Sequence, residues 1–156
     1  MSKFIQEVFD RAFTNGNDET LLNAAHDFMV KSFLPKYSYN FSWLGRPIIQ
    51  YPQDIIALQE IIWQVKPDLI IETGIAHGGS LIFSASMLAQ LEVCEAIEAG
   101  TSFNPKESCR KVLGIDIDIR AHNRAAIEAH PMASRIQMIQ GSSIAPEIIK
   151  QVKRVA

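Results

Sequence analysis

Cysteine is scarce in this chain. Cys94 and Cys109 are the two in 156 residues, and neither sits in a C-x-x-C or Cys/His spacing. That excludes a disulfide scaffold and a sequence-encoded zinc site, and leaves two free thiols suited to a reducing compartment. Positive charge is not in excess either. Fifteen Lys and Arg face seventeen Asp and Glu, for a net charge of -2, so no basic footprint for nucleic acid is present. No apolar run reaches the ~18 residues that a membrane span needs, and the N-terminus shows no apolar signal-peptide core. The expectation is a cytoplasmic protein without a transmembrane segment. Also missing is the G-x-G-x-x-G fingerprint of dinucleotide enzymes. What remains is 47% apolar and 21% charged, the balance of a globular protein with one domain's length.

The richest stretch runs from Asp68 to Leu81, D-L-I-I-E-T-G-I-A-H-G-G-S-L. The apolar run after Pro67 reads as a buried strand. The glycine-rich turn and then Leu81, Ile82, Phe83, Ala85, Met87 and Leu88 read as a tight loop entering a helix. Such a crossing sets a ligand against a helix N-terminus, where glycines allow close approach and the first N–H groups are free. Glu72 stands where a diphosphate would have to pass. A carboxylate there opposes a dinucleotide and suits a cation, and S-adenosylmethionine carries a sulfonium and an ammonium group. An ordinary strand-to-helix turn would show the same glycines.

Upstream, Phe4, Ile5, Val8, Phe9, Ala12 and Phe13 form a helical stripe ending in Asn15-Gly16-Asn17. Asp18 can cap a second helix, with Leu21, Leu22, Ala25, Phe28 and Met29 on one face. These two faces must be buried on this domain or on another subunit, and their Phe and Leu content favours a subunit contact and hence a homo-oligomer. Residues 36–52 hold Tyr37, Tyr39, Phe41, Trp43 and Tyr51 without a sustained period. They read either as a substrate-side wall or lid, or as a packed connector. Residues 53–65 form a helix with Ile55, Ile56, Leu58, Ile62 and Val65 inward, ended by Pro67. The domain division is thus 1–52, a helical extension with its aromatic connector, and 53–156, a cofactor-binding domain.

Downstream, the helix from Gly79 is expected to end near Leu91, and Val93 to Lys111 reads as a polar insertion with a short turn at Asn104-Pro105-Lys106-Glu107. The insertion delays the second strand, Lys111 to Asp116, so that its acid lies 42 positions after Gly74 rather than about 20. In an open parallel sheet ligands lie outside the carboxyl ends of the strands. Asp116 therefore faces the same crevice as Gly74 and can accept ribose hydroxyls, while Asp118 caps the helix that begins near Ile119. His122 and His130 read as surface or capping groups rather than bases. A third strand, Arg135 to Gln140, closes with Gly141-Ser142-Ser143, small enough for an adenine ring to lie against the backbone. A last helix spans residues 146–155. The fold class is α/β, with three parallel strands in spatial order 3-2-1 and right-handed crossovers.

Glu72-x-Gly74-x-x-x-Gly78-x-Ser80 resembles the first motif of class I methyltransferases. Together with Trp43-Leu44-Gly45, Gln50-Tyr51-Pro52-Gln53-Asp54, Lys66-Pro67-Asp68, Gly114-Ile115-Asp116-Ile117-Asp118-Ile119-Arg120 and Gly141-Ser142-Ser143, the chain from about Tyr39 onward resembles the cephalosporin hydroxylase family. That family is a branch of S-adenosylmethionine-dependent methyltransferases that includes sugar and rhamnosyl O-methyltransferases. The resemblance implies a Rossmann-like fold and methyl transfer to a hydroxyl of a small molecule or sugar. It assigns the cofactor to Glu72, Gly74, Gly78, Ser80, Asp116 and Ser142, and by proximity to Ala76, His77, Ile117, Asp118, Gly141 and Ser143. Family members continue through further strands whose loops supply a Mg²⁺ site and meet the acceptor. This chain therefore resembles the cofactor-binding half of such an enzyme. Its residues provide neither an identifiable catalytic group nor a metal-ligand set, and alone it is expected to self-associate. Two other readings stay open: a Rossmann enzyme for another nucleotide, such as a short NAD-dependent oxidoreductase, and a non-catalytic binding or assembly half-domain.

Overall fold

Three short apolar runs, each bounded by Pro, Gly or a charged residue, become the sheet on which the molecule is built. The computed structural model describes residues 3–105 and 107–155. The chain divides after Ser38 into two compact units.

The first unit holds helices α1 (Lys3–Gly16) and α2 (Glu19–Phe33). Asp18 caps α2 as expected, accepting from Thr20 N at 2.9 Å and Leu21 N at 3.1 Å. Phe4, Phe9 and Phe13 of the first stripe are exposed, while Phe28 of the second meets Tyr37 edge-to-face at 5.4 Å.

The second unit opens with a hairpin, β1 (Phe41–Trp43) against β2 (Arg46–Ile48), antiparallel with Trp43 opposite Arg46. Its two-residue turn has both Leu44 (φ 45°) and Gly45 (φ 84°) in the left-handed region, the backbone of a tight hairpin turn. No period was legible in 36–52 because three-residue strands cannot show one, and Leu-Gly is not the Asn-Gly that marks such turns. Trp43 secures the hairpin: its indole N–H donates to Ser86 Oγ at 2.9 Å, and its ring meets Phe83 edge-to-face at 5.0 Å.

Helix α3 (Pro52–Val65) starts with proline in its first turn and ends at a left-handed Lys66. Of the five apolar residues expected to face inward, Ile62 is buried and Ile55 packs on the core, whereas Ile56, Leu58 and Val65 are exposed. The reason is geometric. Among the described residues α3 packs chiefly on one neighbour, α4 (Gly79–Ala99), and a helix against one partner buries only one stripe.

The sheet has strands β3 (Leu69–Thr73), β4 (Lys111–Asp116) and β5 (Ile136–Gln140), all parallel, in the order β3-β4-β5. This is the expected 3-2-1 order. Central β4 is buried on both faces, so its alternate residues serve two cores. Val112 joins the larger cluster with Leu81, Leu88 and Ile127, while Leu113 and Ile115 join Ile139 and Ile148 on the other side. Edge strand β3 leaves Ile71 46% exposed.

Helix α4 runs to Ala99 rather than stopping near Leu91, and Gly100 caps it in the left-handed conformation. Its last turns look polar in sequence because two glutamates there have distant partners. Glu92 pairs with Arg135 at 2.6 Å, and Glu95 receives both terminal nitrogens of Arg110, at 2.7 and 3.1 Å. Burial pushes the Glu92 carboxyl up, but Arg135, Ser108 and the Arg110 amide more than offset it and hold the group below its usual range. By length and apolarity α4 could cross a membrane, yet ten of its residues are buried in the core. In the following segment Glu107 N bonds Asn104 O at 3.1 Å, as a turn requires; Lys106 lies outside the described residues. Helices α5 (Ala121–Glu128) and α6 (Pro146–Val155) complete the unit.

Candidate functional site

Three hollows meet around the glycine loop at the carboxyl ends of the strands. The first, about 400 Å³, is lined by Glu72, Gly74, Gly78 and Ser80 together with Pro47, Ile48 and Gln50 from the hairpin and its exit. A second, about 310 Å³, lies among Gly74, Asp116, Ile117, Gly141, Ser142 and Ser143. The third, about 300 Å³, is polar, with Ala76, His77, Asp116, Asp118, Arg120 and Asn123. All twelve residues assigned from sequence therefore line one contiguous region. Among the described residues no group of three or more His, Cys, Asp or Glu could hold a metal ion.

The loop's shape is set from several directions. Gly78 precedes α4 at φ +83°, and a Cβ on it would lie 2.4 Å from Ile127 Cδ1. Gly79 meets the hairpin, since a Cβ there would lie 2.2 Å from Pro47 O. Only glycine lets strand, hairpin and helix approach so closely. No side chain caps α4, and Gly79 and Ser80 of its first turn line the first hollow. Ala76 is left-handed at φ 46°, a conformation that costs a non-glycine residue about 1–2 kcal/mol and persists only where its surroundings impose it.

Asp116 is one source of that imposition. Its Oδ2 accepts from Ile75 N at 2.6 Å and Ala76 N at 3.4 Å, and its Oδ1 from Asp118 N at 3.0 Å. Burial would raise its pKa, but these backbone donors outweigh it and hold the carboxyl below the ordinary range. Asp116 is thus first an organiser of the loop, although each oxygen keeps a further lone pair for a ligand hydroxyl. The expected role of Asp118 as a helix cap is corrected. The helix begins at Ala121 with Arg120 at the cap position and no side-chain cap bond. Asp118 spends its backbone N–H on Asp116 instead, because the chain turns there before the helix starts.

Glu72 lies beneath the first hollow and accepts the Ser80 hydroxyl. Burial raises its pKa from 4.5 to about 6, opposed by the Ser80 bond. A carboxyl held so reluctantly ionised gains most from a cation beside it. His130, expected to be a surface or capping group, ties its turn to the hairpin: its Nδ1 accepts from Met132 N at 3.1 Å, and its Nε2 lies 3.0 Å from Leu44 O.

Sequence reasoning missed two residues. Arg46 donates through Nε (3.1 Å) and Nη2 (2.5 Å) to His77 O. Asn123 donates to Ala76 O at 2.8 Å and accepts from Arg46 at 3.3 Å. Their partners lie tens of positions away, and no local pattern announces such pairs.

A family model described as "Rhamnosyl O-methyltransferase/CmcI" matches residues 35–156. The chain belongs to the rhamnosyl O-methyltransferase/CmcI family. A curated relative, "Rhamnosyl O-methyltransferase" of Mycobacterium leprae (strain TN), is 29% identical over 134 residues, covering 83% of this chain. The chain spans about half of that relative, the matched region being 50% of its length. A solved chain described as "cmcI-N160 SAH" aligns with 65% of this chain and 43% of its own, at 21% identity and a TM-score of 0.44. The matched residues of the family model take in the hairpin, α3, the whole sheet and every site residue described above.

Proposed function

We propose that this chain is the cofactor-holding part of an S-adenosylmethionine-dependent O-methyltransferase that modifies a hydroxyl of a small molecule or sugar. The observation that carries the reading is the half-buried Glu72 carboxyl lining the hollow at the glycine loop, where desolvation pushes its pKa up to about 6. That is a site for a cation, and family membership supplies the cation's identity. When bound, S-adenosylmethionine supplies a methyl group already activated for in-line displacement by its sulfonium. The chain's own contribution is placement and exclusion of water. Glu72 favours positive charge at the first hollow, the free N–H groups of α4 receive a carboxylate, and Asp116 offers its remaining lone pairs to ribose hydroxyls. Gly141, Ser142 and Ser143, small residues lining the second hollow, leave room for the adenine ring. No side chain is assigned to proton removal from the acceptor. The Mg²⁺ expected from the resemblance finds no ligand set among the described residues.

The exposed apolar stripes of α1 and α2 support assembly into a homo-oligomer, and the free thiols accord with a cytoplasmic location. Thermal shift tests the cofactor directly. S-adenosylhomocysteine at a hundred times its Kd should stabilise the chain by about 2.7 kcal/mol, while NAD should leave the melting point unchanged. A shift with NAD and none with S-adenosylhomocysteine would favour the oxidoreductase reading instead.

A further inference from the structure

Two successive carbonyls of the glycine loop, Ala76 O and His77 O, are each claimed by a side chain from another element. Asn123 of α5 takes the first at 2.8 Å. Arg46 of the hairpin takes the second with two nitrogens, at 3.1 and 2.5 Å, and its guanidinium reaches Asn123 Oδ1 at 3.3 Å. Asn123 is 4% exposed, so its amide orientation is fixed by having both partners. The loop's N–H groups at Ile75 and Ala76 are meanwhile held by Asp116. A peptide whose C=O and N–H are both anchored cannot flip, and two here are: Ile75–Ala76, whose C=O accepts from Gly78 N at 2.8 Å and whose N–H bonds Asp116, and His77–Gly78, whose C=O accepts from Arg46 and whose N–H makes that same bond to Ile75 O. An arginine suits the task because its planar fork can meet two acceptors at once, which a lysine ammonium does less well.

From this geometry we infer that Arg46, acting with Asn123, is a positioning residue that holds the glycine loop in its cofactor-receiving shape. The inference rests on the methyltransferase reading for its ligand but not for its mechanics. Arg46 stands on the hairpin whose next residues, Pro47 and Ile48, wall the first hollow. The same side chain therefore fixes the spacing between that wall and the loop. The hairpin itself is held in place, because Trp43, Leu44 and Arg46 are all bonded to the rest of the unit.

The test compares wild type with Arg46→Ala and Arg46→Lys in the full chain. Amide hydrogen exchange without ligand should quicken at least tenfold at Ile75 to Gly78 in Arg46→Ala, with β4 unchanged, and calorimetry should show S-adenosylhomocysteine bound about tenfold more weakly. Arg46→Lys should fall between. A merely structural role would lower the melting point and speed exchange throughout, leaving the affinity of the folded fraction unaltered, and would overturn the inference. So would unchanged loop exchange in Arg46→Ala. If that variant does not fold, Arg46→Lys decides by the same two readouts. Wild type that fails to bind S-adenosylhomocysteine, with loop exchange still quickened in the variant, would sink the methyltransferase reading and leave the brace standing.

Discussion

Replacing Asp116 by alanine removes the acceptor for three backbone N–H groups, and their surroundings decide the cost. Ala76 and Asp118 are exposed, so their amides can turn to water. Ile75 is 2% exposed and gives the shortest bond, 2.6 Å. An orphaned buried donor costs about 1–3 kcal/mol, and the bond lost is charge-assisted. Adding a small loss from the two exposed amides, Asp116→Ala should cost roughly 2–3 kcal/mol, which for a chain of this size lowers the melting point by about 4–12 °C. Because the Asp116 pKa is depressed in the folded state, its contribution is present above the ordinary carboxylate range and lost as pH falls through the depressed value. The penalty in Asp116→Ala should accordingly shrink in acid. Asp118→Ala, which removes no described side-chain bond, should stay within about 0.5 kcal/mol of wild type. Urea denaturation of both variants at neutral pH is the assay. Equal stabilities, or a larger loss in Asp118→Ala, would refute the assignment of Asp116 as the loop's organiser.

Glu72 has the opposite sign. Its folded pKa of about 6 exceeds the ordinary 4.5, so stability is full below 4.5 and falls as pH rises through about 6, by up to about 2 kcal/mol. Glu72→Gln should be as stable as wild type near pH 4.5 and more stable at pH 7.5, while binding S-adenosylmethionine more weakly; melting curves across pH check this. Gly79→Ala gains up to about 1 kcal/mol of helix propensity but drives a methyl into the backbone of Pro47. Overpacking against rigid backbone costs about 1–3 kcal/mol or more, so the variant should be less stable, and an unchanged or higher melting point would contradict the close approach. Arg135 is 2% exposed and paired with Glu92 at 2.6 Å. Arg135→Ala should cost about 1–3 kcal/mol, since Ser108 and the Arg110 amide still bond the Glu92 carboxylate, whereas Arg11→Ala, at an exposed pair of 3.8 Å, should cost under about 1 kcal/mol, as chemical denaturation can show.

What the sequence disclosed follows from the range of the interactions involved. Strand β4 was readable because burial on both faces demands an unbroken apolar run, and the glycine loop because its turn needs glycines at fixed spacing. Glu72 and Ser80 are eight positions apart and bond across one turn, near enough for a motif to contain both. The Leu44-Gly45 hairpin was hidden because its stability comes from Trp43 against α4, 43 positions away, and not from its turn. The length of α4 was hidden for the same reason: Glu92 and Glu95 look like solvent-facing residues until Arg135 and Arg110 are brought to them. The mistaken cap at Asp118 arose from reading local propensity where Asp116 had already claimed the backbone.

The central claim is that S-adenosylmethionine and its product occupy the hollows around the glycine loop, and a two-dimensional amide NMR titration with S-adenosylhomocysteine addresses it residue by residue. The amides of Ile75, Ala76, Gly78, Asp116 and Gly141 should shift together with a single Kd, while those of Arg110 and Arg135 at the opposite ends of the strands should stay in place. A spectrum that does not change, or changes confined to the Arg110 end, would contradict the account.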